Sequence, residues 1–284
     1  MGSPGRFDGA PVTKWLLISH LVIWLLDLIL QPKIGVGVYG PSVLYEWGYF
    51  SIEAGIQHFQ VWRFLTFQFL HADFGHVALN MWCVFVFGPF LERWLRSKAF
   101  LVFYLLTGIG GALLYSLLVI DPGGLLPDGM VWHQLVGASA GVFGILVGVA
   151  MIAPDARIRL WLPPISMTMR TLAIVFLAIE VVMVLTNQNN AGGSAGHLGG
   201  ALAGYLLLKF PLVRSWLTAL GSGVQMHRNK PARKRAYESK LRPTSSVTKD
   251  DASEVDRILD KINRDGLQSL TDEERELLKR ASGK

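Results

Sequence analysis

Gly137-Ala138-Ser139-Ala140-Gly141-Val142-Phe143-Gly144 sets a serine among small residues at the start of an apolar run that stops at Pro154. Further along, Gly196-His197-Leu198-Gly199-Gly200 opens another apolar run. A serine hydroxyl is a poor nucleophile until a base removes its proton, and a neutral imidazole is well suited to do so. Each residue means little alone. Together, at the starts of two runs apolar enough for lipid, they form a candidate hydrolytic pair.

The wider chain supports that setting. Its 284 residues are 51% hydrophobic and 17% charged, more apolar surface than one water-soluble core can hide. Six apolar runs stand out, at 15–31, 76–91, 99–120, 139–153, 171–186 and 195–210. Cys83 is the single cysteine, which excludes intrachain disulfides and cysteine-rich metal clusters. The net charge of +6 does not point to nucleic acid, because the basic residues cluster between apolar runs and in the tail.

Orientation follows from those charges. With a cytoplasmic N-terminus, the inner segments carry Arg6, Lys14, Arg93, Arg96, Lys98, Arg157, Arg159, Arg170, Lys209 and Arg214, and the outer loops only Lys33 and Arg63. Six spans with both termini inside is the expected topology. Spans two, four and six then start outside, so His76, Asn80, Ser139 and His197 all fall in the outer leaflet. The run from Ser139 to Ala153 is short, about 22 Å at roughly 1.5 Å per residue against a hydrocarbon core near 30 Å. Ser139 is therefore expected below the outer surface, on a loop that Gly137 helps to dip into a shielded cavity.

The start of span four turns free N–H groups toward Ser139, so its amide is a candidate oxyanion donor. His76 and Asn80 share one face of span two and can aim at the same spot. No acidic residue is read in an outer-leaflet position suited to orient His197, so a Ser–His dyad is expected. His71 is read as ordering its loop, Glu92 and Arg93 as a charge pair, and Asp27 as reaching headgroups. No His-Glu-x-x-His motif accompanies the histidines, so no metal and no cofactor is expected.

These elements carry a resemblance. Trp62-Arg63, His71-Ala-Asp-Phe-Gly-His76-Val-Ala-Leu-Asn80, Gly88-Pro-Phe-Leu-Glu92-Arg93, Gly137-Ala-Ser139 and His197-Leu-Gly-Gly200-Ala-Leu-Ala-Gly204 resemble the rhomboid intramembrane serine proteases in order and topology. The resemblance covers about residues 60–210. It implies that Ser139 is the nucleophile, that His197 is the base, and that the Ser139 amide, His76 and Asn80 form the oxyanion hole. Gly141, Gly200, Trp62 and Arg63 would support the site, and Phe143 would stack on the histidine. It further implies single-pass transmembrane proteins as substrates, entering near span five. The chain departs from the family at Ala140 and Gly196, where glycine and alanine are usual.

The expected architecture is an all-α membrane protein: a six-transmembrane-helix rhomboid-like bundle with a short cytoplasmic helical tail. Its parts are a cytoplasmic N-terminus (1–14), the membrane domain (15–211), a basic flexible linker lying against lipid (212–252) and a small helical hairpin (253–284) available to a cytoplasmic partner. Thr271-Asp-Glu-Glu274 fits a capping box. The membrane is expected to be a bacterial inner membrane. Two other functions stay open on the residues alone: an inactive relative that binds membrane clients, and a small transporter.

Overall fold

Among the described residues, six long helices occupy the six apolar runs: α1 (Pro11–Ile29), α4 (Phe74–Leu95), α5 (Ser97–Ile120), α6 (Ser139–Ile152), α7 (Met169–Leu185) and α8 (Ala191–Lys209), with short α2 (Val43–Gly48) and α3 (Arg63–Thr66) between the first two. The structure is a computed structural model. It describes residues 5–35, 38–120, 126, 133–159, 164–187, 190–222 and 254–282, the last without 256, 259, 263, 265 and 266. The chain divides into two units, 1–223 and 224–284. By length and composition, α1, α4 and α5 are long and apolar enough to cross a membrane, while α6 is apolar but shorter.

α8 packs most extensively against α5 and α6, which places it at the centre of the bundle. The largest core cluster gathers Val84, Leu91, Phe100, Phe103, Tyr104, Ile145 and Leu172 from α4, α5, α6 and α7. Outward faces are apolar as well: Leu21, Leu25 and Ile29 on α1 and Ile174, Ile179 and Val182 on α7 are exposed. Water would not tolerate so much contiguous apolar surface, but lipid does.

Several buried polar groups find their partners far along the chain. Glu92 is fully buried and does not pair with Arg93. Its carboxylate accepts from Val12 N at 2.9 Å, from Thr13 N and Thr13 Oγ1 at 2.7 Å each, and from Ser97 Oγ at 2.6 Å. α1 begins after Ala10, which has no side-chain acceptor, so Glu92 supplies that helix's missing cap from α4. Arg93 instead donates to the carbonyls of Asp8 and Arg6. The charge pair read from the sequence is thus two separate anchors of the N-terminal segment.

Pro89 lies inside α4 and has no N–H to offer Phe85. Arg6 fills the gap: its guanidinium donates to the Phe85 carbonyl at 2.9 Å and sits 4.2 Å from the Phe85 ring centre. Asp27 does not reach outward either. It is buried and accepts from Ser42 Oγ, while Ser42 caps α2 through Tyr45 N.

Between α1 and α4 lie a ribbon of β1 (Lys33–Gly35) and β2 (Val38–Tyr39), α2, a π-helical turn (Glu53–Gln57), α3 and a 3-10 turn (Phe67–Phe69). A second ribbon, β3 (Arg157–Arg159) with β4 (Ser166–Thr168), joins α6 to α7. These ribbons qualify the all-helical expectation slightly. A larger difference follows α8. Residues read as the start of a linker form α9 (Pro211–Ser222), bent 91° from α8. If α8 and α9 count as one broken span, four helical segments pass the length and composition test. Pro211 opens the new helix without an N–H to lose, and Leu217 is drawn into the core cluster. The rest of the expected linker, 223–252, lies outside the described residues.

In the second unit, described residues from 254 to 264 are helical and α10 spans Asp272–Ser282. Thr271 and Glu274 bond reciprocally, Thr271 N to Glu274 Oε2 at 2.8 Å and Glu274 N to Thr271 Oγ1 at 3.3 Å. The Thr271 amide and Lys261 hold the Glu274 carboxyl below its ordinary range. Lys261 Nζ sits 2.9 Å from that carboxylate and ties the two helical stretches together.

Replacing Glu92 tests the trans cap. Glu92→Ala strands several buried donors and should cost about 3 kcal/mol of stability. A thermal melt in detergent should fall by several degrees; an unchanged melt would show that the four contacts contribute little.

Candidate active site

The stretch before α6 is pinned from two sides. Phe50 and Leu135 exchange backbone hydrogen bonds of 3.0 and 2.7 Å, and Gly137 N donates to Phe67 O at 2.9 Å. Gly137 has φ +124, a conformation that side chains disfavour, and a Cβ there would lie 2.6 Å from His76 Nε2. Glycine thus permits both the turn and the close approach of the His76 ring. Ala138 ends the loop with no side-chain cap, leaving the first N–H groups of α6 uncapped around Ser139.

Ser139 Oγ lies 2.8 Å from His197 Nε2, hydrogen-bond distance between α6 and α8. One turn along α6, Phe143 stacks on the imidazole with ring centres 4.6 Å apart and planes within 9°. Asn80 is buried and donates Nδ2 to the His76 carbonyl at 3.0 Å, leaving its second N–H uncommitted.

The approach of α8 to α6 is possible because Gly200 faces the Ala140 backbone, where a Cβ would overlap the carbonyl. Ala140, one of the two departures from the family, has its methyl group in space left by Gly111 of α5, where a Cβ would come within 2.6 Å. At the other departure, a Cβ on Gly196 would meet only Leu135 methyl groups at 3.5 and 3.7 Å. Gly141 packs against the Tyr104 ring.

Trp62 and Arg63 stand apart from this cluster. Arg63 is buried beneath the 46–60 segment, donating to Gln60 Oε1 at 2.6 Å, Tyr49 O at 2.6 Å and Glu46 O at 2.9 Å. Trp62 donates to Trp47 O and stacks on that ring. His71 is buried between His20 and His76, with ring centres 5.5 and 5.1 Å away and neither of its nitrogens hydrogen-bonded. His20 in turn lies 3.0 Å from Tyr104 Oη. Among the described residues no group of His, Cys, Asp and Glu is arranged to hold a metal ion.

One expectation is overturned. An acidic residue does stand beside His197: Glu180 Oε1 of α7 is 3.0 Å from His197 Nδ1, both side chains largely buried at 13% and 17% exposure. The contact is short but not aligned as a hydrogen bond, and Nδ1 has no other partner. The sequence held the signal. Glu180 is the lone charge in the middle of the fifth apolar run, five residues from the end of α7, and a carboxylate there needs a reason.

The model of the rhomboid domain matches residues 58–214. The chain belongs to the rhomboid family. With its apolar helices, that makes it an integral membrane protein of a family whose members are generally intramembrane serine proteases. A second match, to a family of unknown function (DUF6576), covers residues 247–284. Similar curated proteins include the putative rhomboid protease YdcA of Bacillus subtilis (strain 168), 31% identical over 197 residues, which are 69% of this chain and 86% of that one. Rhomboid-like protease 3 of Toxoplasma gondii is 28% identical over 197 residues, 68% of this chain and 66% of its own. Rhomboid protease AarA of Providencia stuartii is 28% identical over 229 residues, 72% and 74% of the two chains.

The glycine contacts predict opposite outcomes for two similar changes. Gly196→Ala should leave the melt unchanged or raise it, by up to about 1 kcal/mol of helix propensity. Gly200→Ala meets rigid backbone and should cost about 1–3 kcal/mol and lower turnover by moving His197 off Ser139. Melts and turnover measured side by side check this; equal effects would show that the α6–α8 gap is not set by Gly200.

Proposed function

We propose that this chain is an intramembrane serine endopeptidase that cleaves single-pass transmembrane proteins, with Ser139 as nucleophile and His197 as general base. The observation that carries the reading is the 2.8 Å contact between Ser139 Oγ and His197 Nε2, made at the uncapped start of α6. His197 Nε2 takes the hydroxyl proton as Oγ attacks the scissile carbonyl carbon. Negative charge grows on the carbonyl oxygen, where the Ser139 amide, the second N–H of Asn80 and His76 donate. The imidazolium then passes its proton to the leaving amine as the C–N bond breaks. Water, activated by the same histidine, frees the acyl group.

Membrane burial constrains the substrate. Backbone in an apolar helix has its hydrogen bonds already made, so a scissile amide is exposed only where the substrate helix unwinds. The proposed topology is six spans with both termini inside, in a bacterial inner membrane, with the site in the outer leaflet. On this reading residues 1–14 and 253–284 are cytoplasmic, 15–211 is the membrane domain, and the tail hairpin meets a cytoplasmic partner.

A model single-span substrate in detergent, together with a fluorophosphonate probe, tests the proposal. Ser139→Ala and His197→Ala should each abolish cleavage and labelling while membrane insertion persists. Near-wild-type cleavage by either variant would sink the reading; absence of labelling in the parent chain would favour client binding or transport. Asn80→Ala should lower kcat by about 10²–10³ with little change in KM, the signature of a donor acting on developing charge. A pure KM defect would make Asn80 a substrate-positioning group instead.

A further inference from the structure

A carboxylate in the fifth apolar helix is costly unless something compensates it. Along α7 the neighbours of Glu180 are apolar, with Ile179 and Val181 facing outward. No lysine or arginine pairs with it among the described ion pairs; its basic partner is His197, 3.0 Å away through Nδ1. Its other polar neighbour is Ser194, buried one turn before His197 on α8. His197 is thus held on three sides: Ser139 at Nε2, Phe143 on one ring face, and Glu180 at Nδ1.

We propose that Glu180 is a positioning residue for His197, which makes the site a Ser139–His197–Glu180 triad carried by three helices. The proposal rests on the protease reading above. A proton on Nδ1 faces the carboxylate, leaving Nε2 with the lone pair that receives the Ser139 proton. When Oγ attacks, that proton moves to Nε2, the ring becomes cationic, and the carboxylate lies beside the new charge. The proton leaves again with the amine, so Glu180 remains ionised throughout. Because the contact is not aligned in the free protein, it tightens when the imidazolium forms.

The test is Glu180→Gln against Glu180→Asp, with Ser139→Ala alongside, all assayed below the lowest melting temperature. Glu180→Gln should lower kcat roughly 10- to 100-fold, less than the about 10⁴-fold seen where such a contact is fully aligned, with KM little changed. The acid limb of its kcat/KM profile should move to lower pH, because the cationic ring loses the anion beside it. Among the described residues, the other titratable side chain beside the pair is His76 of α4, while α5 faces α8 there with Gly110 and Gly111. His76 is unchanged in these variants and cannot produce the shift. Glu180→Asp keeps the charge and should retain the parent acid limb with part of the rate.

Wild-type kcat and an unmoved acid limb in Glu180→Gln, with Ser139→Ala inactive, would overturn the triad and leave the protease reading intact. A loss confined to KM, or to the melt, would make Glu180 a latch between α7 and α8 and also overturn it. An active Ser139→Ala variant would bring down the protease reading itself. Should Glu180→Gln fail to fold, the acid limb of Glu180→Asp decides: if it moves as far as loss of the charge predicts, the carboxylate is not what sets it.

Discussion

Everything at the candidate site depends on how closely α8 can approach α6. Serine and histidine side chains are short, and two helices of ordinary residues pack with axes about 8–10 Å apart. Lipid provides no hydrophobic drive to close the gap, so the helices must fit by shape alone. Gly200 against the Ala140 backbone provides that fit, and Gly199 against the Gly110 carbonyl lets α8 close on α5 in the same way. His197 lies on the same helix as both. The two departures from the family fall within this contact zone and are absorbed differently: Ala140 uses room left by Gly111, whereas Gly196 leaves room unused.

The second constraint is that buried polar groups in a membrane need partners inside the protein. Three cases show the solution. Glu92 binds the bare amides at the start of α1, Arg6 covers the carbonyl that Pro89 orphans, and Arg63 gathers carbonyls from an irregular segment. In each case a charged side chain satisfies backbone, and no opposite charge is required. Such contacts join parts of the chain far apart in sequence, which apolar packing alone would leave free to slide.

The positions of the helices were legible because hydrophobicity is a local property, and so were Ser139 and His197, which open two of the apolar runs. Partnerships were harder. Glu92 and Arg93 are adjacent and opposite in charge, which invited a pairing, yet α4 turns them toward different backbone groups. Glu180 carried no such mark, because it stands toward the end of α7 and does not open an apolar run. α9 was hidden by Pro211, which reads as a stop after α8, and by a mixed composition of which only Leu217 is committed to the core. Each miss concerns which face of an element meets which neighbour, and one-dimensional periodicity does not encode that.

The rhomboid match begins at residue 58, but the fold does not. Glu92, inside the match, is satisfied by residues 12 and 13 outside it. Leu135, two residues before Gly137, is paired with Phe50, also outside. A chain cut at the family boundary would leave Glu92 with only Ser97 as a donor and the serine loop with only the Gly137–Phe67 hydrogen bond to hold it. The span that the family model matches is therefore smaller than the unit that physics requires to stand, and the first fifth of this chain is scaffolding for the residues that follow it.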